Sequence, residues 1–270
     1  MKSAVTLCRV AEAAAGPFVF HGPLEAGFEK AAALGFDAVE LFLGGPDEVP
    51  VAEIKALQEK HGLAIAAVGT GAGMVKHGLS LTDPDHDKRL DAFSFIMKMI
   101  AVGGELGAPA ILGSMQGRWG PQVDRDEALS LLGGFLGHFD RAAGAHGVPF
   151  IYEPLNRYET NLFNRVADAA RWLDAKNLRN IVILADLFHM NIEERAIADS
   201  LRDIGGRLGH VHWADSNRRA MGFGHTDPAP IFEALQEIGY RGYLSAEIFP
   251  LPDADTAAAR TIESIKSLIP

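Results

Sequence analysis

Residues 181–186 read IVILAD, five apolar residues running straight into a carboxylate. A parallel strand covered on both faces reads as such an unbroken apolar run, and a charge at its end is costly unless paired or bound to a cation. The pattern recurs on both sides. VPFIYE (148–153) ends in Glu153, GHVHW (209–213) carries His212, and YLSAEI (243–248) carries Glu247. Further out, strand-like runs lie at 3–9 (SAVTLCR), 37–43 (DAVELFL), 63–68 (LAIAAV) and 108–114 (APAILGS).

Between these runs, helical patterns are predicted near 23–35, 50–61, 85–106, 125–146, 164–175, 193–204, 228–238 and 255–268. Pro84 and Asp85 suit the start of the third helix and Asp124 the start of the fourth. Glycines at 35, 62, 107, 147 and 239 stand where C-caps belong. Eight βα units in 270 residues predict an α/β fold, a single (β/α)8 TIM barrel spanning 1–270 with right-handed crossovers. An eight-stranded doubly wound sheet would gather ligands at one switch point. Here acids and histidines end strands five, six, seven and eight, which a ring explains better.

The formal net charge of −10 argues against a nucleic-acid partner, because phosphate backbones are met by clustered Lys and Arg. No window approaches the ~18–20 apolar residues that cross a bilayer. Arg9 and Glu12 interrupt the early apolar stretch before a signal-peptide core is complete. The lone cysteine, Cys8, cannot form an internal disulfide and suits a small core position. A cytoplasmic protein without membrane attachment is expected.

Closing the ring would bring Glu153, Asp186, His212 and Glu247 to one mouth, with His189 three residues beyond Asp186. Taken singly, each has a plainer reading: a strand-end carboxylate facing water, an Asp186 that caps a turn, a packed imidazole. His210 and His212 share one side of their strand, so His212 is expected as a ligand nearer the mouth and His210 as its deeper support. One imidazole and three carboxylates suit one divalent ion, Mn2+ first, with Mg2+, Co2+ or Zn2+ as alternatives. Two carboxylates approaching a substrate from opposite faces could remove a proton beside a carbonyl and return it to the other face, with the ion stabilising a cis-enediolate.

The stretches EPLNRYETN (153–161), LADLFHMNIEE (184–194), HVHWADSNR (210–218) and GHTD (224–227) strongly resemble the ketose 3-epimerases of the xylose-isomerase-like (β/α)8 superfamily. The likeness is dense from about 148 to 250, and FDAVELF and LSLTDPD extend it weakly toward the N-terminus. The resemblance implies that Glu153, Asp186, His212 and Glu247 bind the metal and that Glu153 and Glu247 are the acid/base pair. It also implies that Glu159, His189 and Arg218 contact a small keto-sugar substrate, and that the protein is a homodimer or homotetramer.

Departures from the hexulose epimerases bear on the substrate. GSMQGRWG (113–120), AEIFPLPD (246–253) and GTGAG (69–73) look more like the branch acting on keto-sugar acids, such as 5-keto-L-gluconate epimerase. Arg118 is therefore expected to pair with a substrate carboxylate, the plain alternative being an ion pair with a nearby acidic loop residue. Gly71 and Gly73, and Gly222 and Gly224, offer flexible backbone near the mouth without matching a phosphate consensus, so an unphosphorylated substrate is expected. Trp119 and Trp213 are candidates to stack on a sugar, although Trp213 alternates with His212 and should face the helices.

Within the superfamily the alternatives are aldose–ketose isomerase, inosose dehydratase and oxo-sugar-acid decarboxylase or lyase. A noncatalytic sugar-binding protein would not need both glutamates. A trinuclear zinc endonuclease would need histidines at strand ends two and three, where this chain has FLGG and GTGAG.

Overall fold

The computed structural model describes residues 1–268, so the last two residues of the expected 1–270 unit lie outside the described residues. Its strands are β1 (Lys2–Cys8), β2 (Phe20–His21), β3 (Ala38–Phe42), β4 (Ala64–Gly69), β5 (Ala110–Leu112), β6 (Phe150–Tyr152), β7 (Ile181–Asp186), β8 (Leu208–His212) and β9 (Tyr243–Ala246). All pair in parallel, from β1 to β3 and then in chain order to β9. β9 pairs back to β1 from Lys2↔Tyr243 to Val5↔Ala246, which closes an eight-stranded barrel. The two-residue β2 joins only the far end of β1, at Leu7↔Phe20 and Cys8↔His21.

The surrounding helices are α1 (Leu24–Leu34), α2 (Val51–His61), α3 (Ala72–His77), α4 (His86–Leu106), α5 (Arg125–Ala145), α6 (Val166–Ala175), α7 (Leu187–Glu193), α8 (Ile197–Ile204), α9 (Pro228–Glu237) and α10 (Ala254–Leu268). Their starts follow local chemistry. Asp85 accepts from Asp87 N–H and Asp124 from Glu127 N–H, each satisfying a donor that the first helical turn leaves orphaned. The glycines at 35, 62, 107, 147 and 239 all follow helices with φ between 66° and 79°. The sequence pattern omits β2, α3 and α7, which are too short to show a period.

Strand alternation sorts the core into two regions. Val39 and Leu41 of β3, and Leu208 and Val211 of β8, join the large apolar layer between sheet and helices. Trp213 is fully buried there and donates from Nε1 to Ser264 Oγ of α10 at 3.0 Å, so it faces the helices. Inside the barrel, Ala4, Ala38 and Ala66 form a layer of small side chains, and Ala67, Ile111, Ile151 and Leu184 form another. Glu40, His210 and His212 are also buried.

Two irregularities in pairing aim those polar residues. The β3–β4 register shifts between Val39 and Glu40, and the β7–β8 register shifts between Ile183 and Leu184. In the second, Ile183 pairs Leu208 and Leu184 pairs His210, leaving Gly209 as the extra residue. A Cβ at 209 would lie 2.1 Å from Val182 Cγ2, so only glycine lets the strands approach here. Gly209→Ala is expected to destabilise the fold by about 1–3 kcal/mol through overpacking, measured as a lower urea midpoint at unchanged slope.

Candidate active site

Glu153 follows β6, Asp186 ends β7, His212 ends β8 and Glu247 follows β9. Each contributes one ligand-type atom to a group lying within 4.8 Å of one another. His212 Nδ1 is 3.4 Å from Asp186 Oδ2, 3.5 Å from Glu247 Oε2 and 3.7 Å from Glu153 Oε1. It is buried and has no hydrogen-bond partner among the described residues. Its other nitrogen, Nε2, lies 3.0 Å from Glu40 Oε1. A neutral imidazole that donates from Nε2 to a carboxylate keeps a lone pair on Nδ1, the form a metal requires. This orphaned nitrogen among three carboxylates fits a divalent cation.

Electrostatics point the same way. Burial, together with Glu247 and Asp186, pushes the Glu153 carboxyl well above the usual range despite the attraction of His212. Burial would also raise Asp186, but His189, His212 and Arg218 outweigh it and hold that carboxyl low. Burial opposes the charged form of His212, while Glu247, Glu40 and Asp186 reverse the effect and raise its pKa. Asp186 also caps α7: one oxygen accepts from Phe188 N–H at 2.7 Å and the other faces His212. The capping and ligand readings of this residue are therefore compatible.

The remaining expected contacts gather around this cluster. His189, on α7, is buried, and its Nδ1 accepts from Asn156 Nδ2 at 2.7 Å. Its Nε2, 3.6 Å from Asp186 Oδ2 and 3.7 Å from Glu153 Oε1, has no hydrogen-bond partner among the described residues and presents a donor to the cavity. Burial lowers the pKa of this imidazole and favours its neutral form. Asn156 also donates to Glu159 Oε1 at 3.0 Å. Arg218 reaches Glu247 Oε2 at 2.5 Å, Asp186 Oδ2 at 3.4 Å and Glu159 Oε1 at 3.8 Å, with its guanidinium 5.0 Å from the Phe188 ring centre.

Arg218 owes its place to a loop built around Asp215. That buried carboxylate accepts from the backbone N–H groups of Ser216, Gly222, Gly224 and Thr226 at 2.7–3.0 Å. Gly222 and Gly224 thus serve as donors that organise the loop. Arg218 sits at φ 58°, a conformation costing a non-glycine residue on the order of 1 kcal/mol. Its N–H donates to Asp215 O and its carbonyl accepts from Phe249 N–H, both at 2.8 Å.

The site opens into a cavity of about 340 Å³. Glu153, Glu247, His189, His212, Arg218, Glu159 and Glu40 line its polar end, and Phe18, Phe42, Pro17 and Val75 contribute an apolar wall. Gly113 also lines it, and a Cβ there would meet Glu153 Oε2 at 2.6 Å. Gln116 braces the same glutamate, donating from Nε2 to Glu153 O at 2.9 Å and accepting from the Tyr152 hydroxyl.

Arg118 is elsewhere. It is exposed, is absent from the cavity wall and makes no ion pair among the described residues. Its backbone is fixed instead, the N–H donating to Thr82 Oγ1 at 2.8 Å and the carbonyl accepting from that hydroxyl at 3.0 Å. The geometry supports neither the expected substrate-carboxylate contact nor the ion-pair alternative. Trp119 likewise lies outside the cavity wall, bonded to Asn161 through its backbone and indole N–H groups.

Residues 28–268 match the family model described as xylose isomerase-like TIM barrel, and the chain belongs to that family. Among curated proteins it is 31% identical over 230 residues to D-psicose 3-epimerase of Ruminiclostridium cellulolyticum, covering 82% of this chain and 76% of that one. It is also 31% identical to 3-dehydro-D-guloside 4-epimerase of Escherichia coli, covering 79% and 82%. Among solved structures, D-allulose 3-epimerase from Methylomonas sp. superposes with a TM-score of 0.81 at 26% identity, covering 100% of this chain and 99% of that one.

Sequence reading missed Glu40, Asn156 and Asp215. Glu40 carries the same signal as the chosen acids, a lone carboxylate in an apolar strand, but it stands inside the strand and not at its end. Asp215 supplies a pH test. Burial alone would raise its carboxyl, but four backbone N–H groups outweigh that and depress it. Its stabilisation is therefore complete above the unfolded aspartate range and lost as pH falls through the depressed value. Asp215→Asn is expected to lose at least about 2 kcal/mol at pH 7, and urea titrations should show the gap to wild type narrowing at acid pH.

Proposed function

We propose that this protein is a divalent-cation-dependent epimerase of an uncharged keto-sugar. The reading rests on the orphaned Nδ1 of His212 directed at Glu153, Asp186 and Glu247. Those four residues would hold the ion, with Mn2+ the first choice for such a mixed donor set. When bound, it would supply Lewis-acid stabilisation of negative charge on the oxygens of an enediolate.

The protein's own groups then carry the proton. Glu153 and Glu247 enter from β6 and β9, with Asp186 and His212 from β7 and β8 between them, so the two glutamates flank the cluster. Glu153 faces the cavity from one side and is suited to exchange a proton with the substrate. Glu247, oriented by Arg218, acts from the other side. One glutamate, ionised, takes the proton beside the carbonyl, and the other, protonated, gives its own proton to the opposite face, which inverts the carbon. The His189 Nε2–H and the Arg218 guanidinium orient substrate oxygens.

Charge favours an uncharged substrate over a keto-acid. Beside the ion's own ligands, Glu12, Glu40 and Glu159 line the cavity, Glu40 is held by two imidazoles, and Arg218 is the one lining Lys or Arg among the described residues, already engaged by Glu247 and Asp186. Away from the ion, a substrate carboxylate would meet Glu12 and Glu159 and no free guanidinium among the described residues. The names of the relatives agree, being a psicose, a ribulose and a 3-dehydroguloside epimerase. The cavity volume, near the lower end of the roughly 300–1,000 Å³ of ligand sites, suits one sugar ring.

The deciding experiment incubates Mn2+-loaded protein with neutral ketoses, keto-glycosides and keto-sugar acids in deuterated water, followed by NMR. Deuterium at an inverted carbon of an uncharged sugar is expected. Isomerisation to an aldose, loss of water, release of carbon dioxide or a preference for keto-acids would each replace this reading by another. Glu153→Gln and Glu247→Gln should each lower kcat by at least about 100-fold with the thermal midpoint little changed.

A further inference from the structure

Glu40 is a buried acid that the proposed proton chemistry does not use. It lies on β3, and its carboxylate crosses the barrel interior to β8 on the far side of β1 and β9. Oε2 is 2.7 Å from His210 Nε2 and Oε1 is 3.0 Å from His212 Nε2. The two imidazoles stand at 85° to one another with their centres 5.5 Å apart, so each addresses a different oxygen of the same carboxylate. All three side chains are at most 6% exposed, which keeps water from replacing either hydrogen bond.

We propose that Glu40 is a positioning residue that fixes the ring orientation and tautomer of His212, with His210 as the anchor of its second oxygen. The inference rests on reading the Glu153, Asp186, His212 and Glu247 cluster as a cation site. An ionised carboxylate only accepts, so both Nε2 atoms must donate to it. In its neutral form, the one a cation can bind, His212 then keeps its lone pair on Nδ1, on the ring edge facing Asp186, Glu247 and Glu153. That nitrogen is orphaned, whereas the Nε2 atoms of both rings are satisfied. Glu40, His210 and His212 could be taken for a second metal site, their ligand atoms also lying within 4.8 Å. The satisfied hydrogen bonds on one edge of His212 and the unsatisfied nitrogen on the other favour a support for one ion.

The carboxylate is also suited to the role by its neighbours. A glutamine at 40 could accept from one imidazole, but its amide group would face the N–H of the other, so one ring must turn or change tautomer. Loss of such a support generally weakens metal binding by about 10- to 100-fold.

The test titrates chelator-stripped full-length protein with Mn2+ by calorimetry and compares wild type, Glu40→Gln and His210→Gln. Wild type is expected to bind one ion per chain. Glu40→Gln should weaken that affinity by about 10- to 100-fold, and His210→Gln should weaken it by a smaller factor. Histidine 15N NMR of the Zn2+-loaded wild type gives a readout that does not depend on a variant folding, with His212 expected to be metal-bound at Nδ1 and protonated at Nε2. Ligation through Nε2, two ions per chain, or wild-type affinity in Glu40→Gln would each overturn the positioning role while leaving a cation site in place. A wild type that takes up no Mn2+ would overturn both this inference and the cation reading beneath it.

Discussion

The barrel mouth concentrates negative charge where water cannot screen it. Glu153, Asp186 and Glu247 converge on one imidazole edge, and Arg218 is the one permanent cation within reach among the described residues. Buried carboxylates at such spacing must share protons, find donors or bind a cation. The upward displacement of Glu153, the downward displacement of Asp186 and the orphaned Nδ1 of His212 are three expressions of that one constraint. A site that strains to acquire positive charge is suited to stabilising an enediolate through a bound ion.

Around the cluster, each functional side chain is supported by a part of the structure that performs no chemistry. The bulge at Gly209 sets the face to which His210 and His212 turn. The Asp215 carboxylate gathers four backbone donors and holds Arg218 in a left-handed conformation. Asn156 fixes the His189 ring through Nδ1, which leaves Nε2 for the cavity. Gln116 and the absence of a side chain at Gly113 define where Glu153 can lie. This division between strand-end groups and their braces is what a rigid barrel permits, because its loops can vary while the strand ends stay in place.

The cavity lining changes the weight of the family resemblance. Likeness in the loops after β5 and β9 leads the sequence reading toward keto-acid substrates and gives Arg118 a role in binding them. Arg118 is held by its backbone at Thr82 and stays out of the wall, while five glutamates line it. Phe18 and Phe42 set an apolar wall opposite the polar end of that cavity.

By itself the sequence determined the eight βα units and the acids and imidazole at the ends of the last four strands. Those features are local: apolar runs of strand length, caps such as Asp85 and Asp124, and glycines that close helices leave their marks within a few residues. The single group formed by Glu153, Asp186, His212 and Glu247 was legible because parallel closure maps strand ends onto one ring. Tertiary structure alone decided that Glu40 reaches His210 and His212 from 170 and 172 residues away, since no local period encodes a contact across the barrel. It also decided that Arg118 stays outside the cavity wall, because the loop backbone that carries it is fixed by a partner distant in the chain, Thr82.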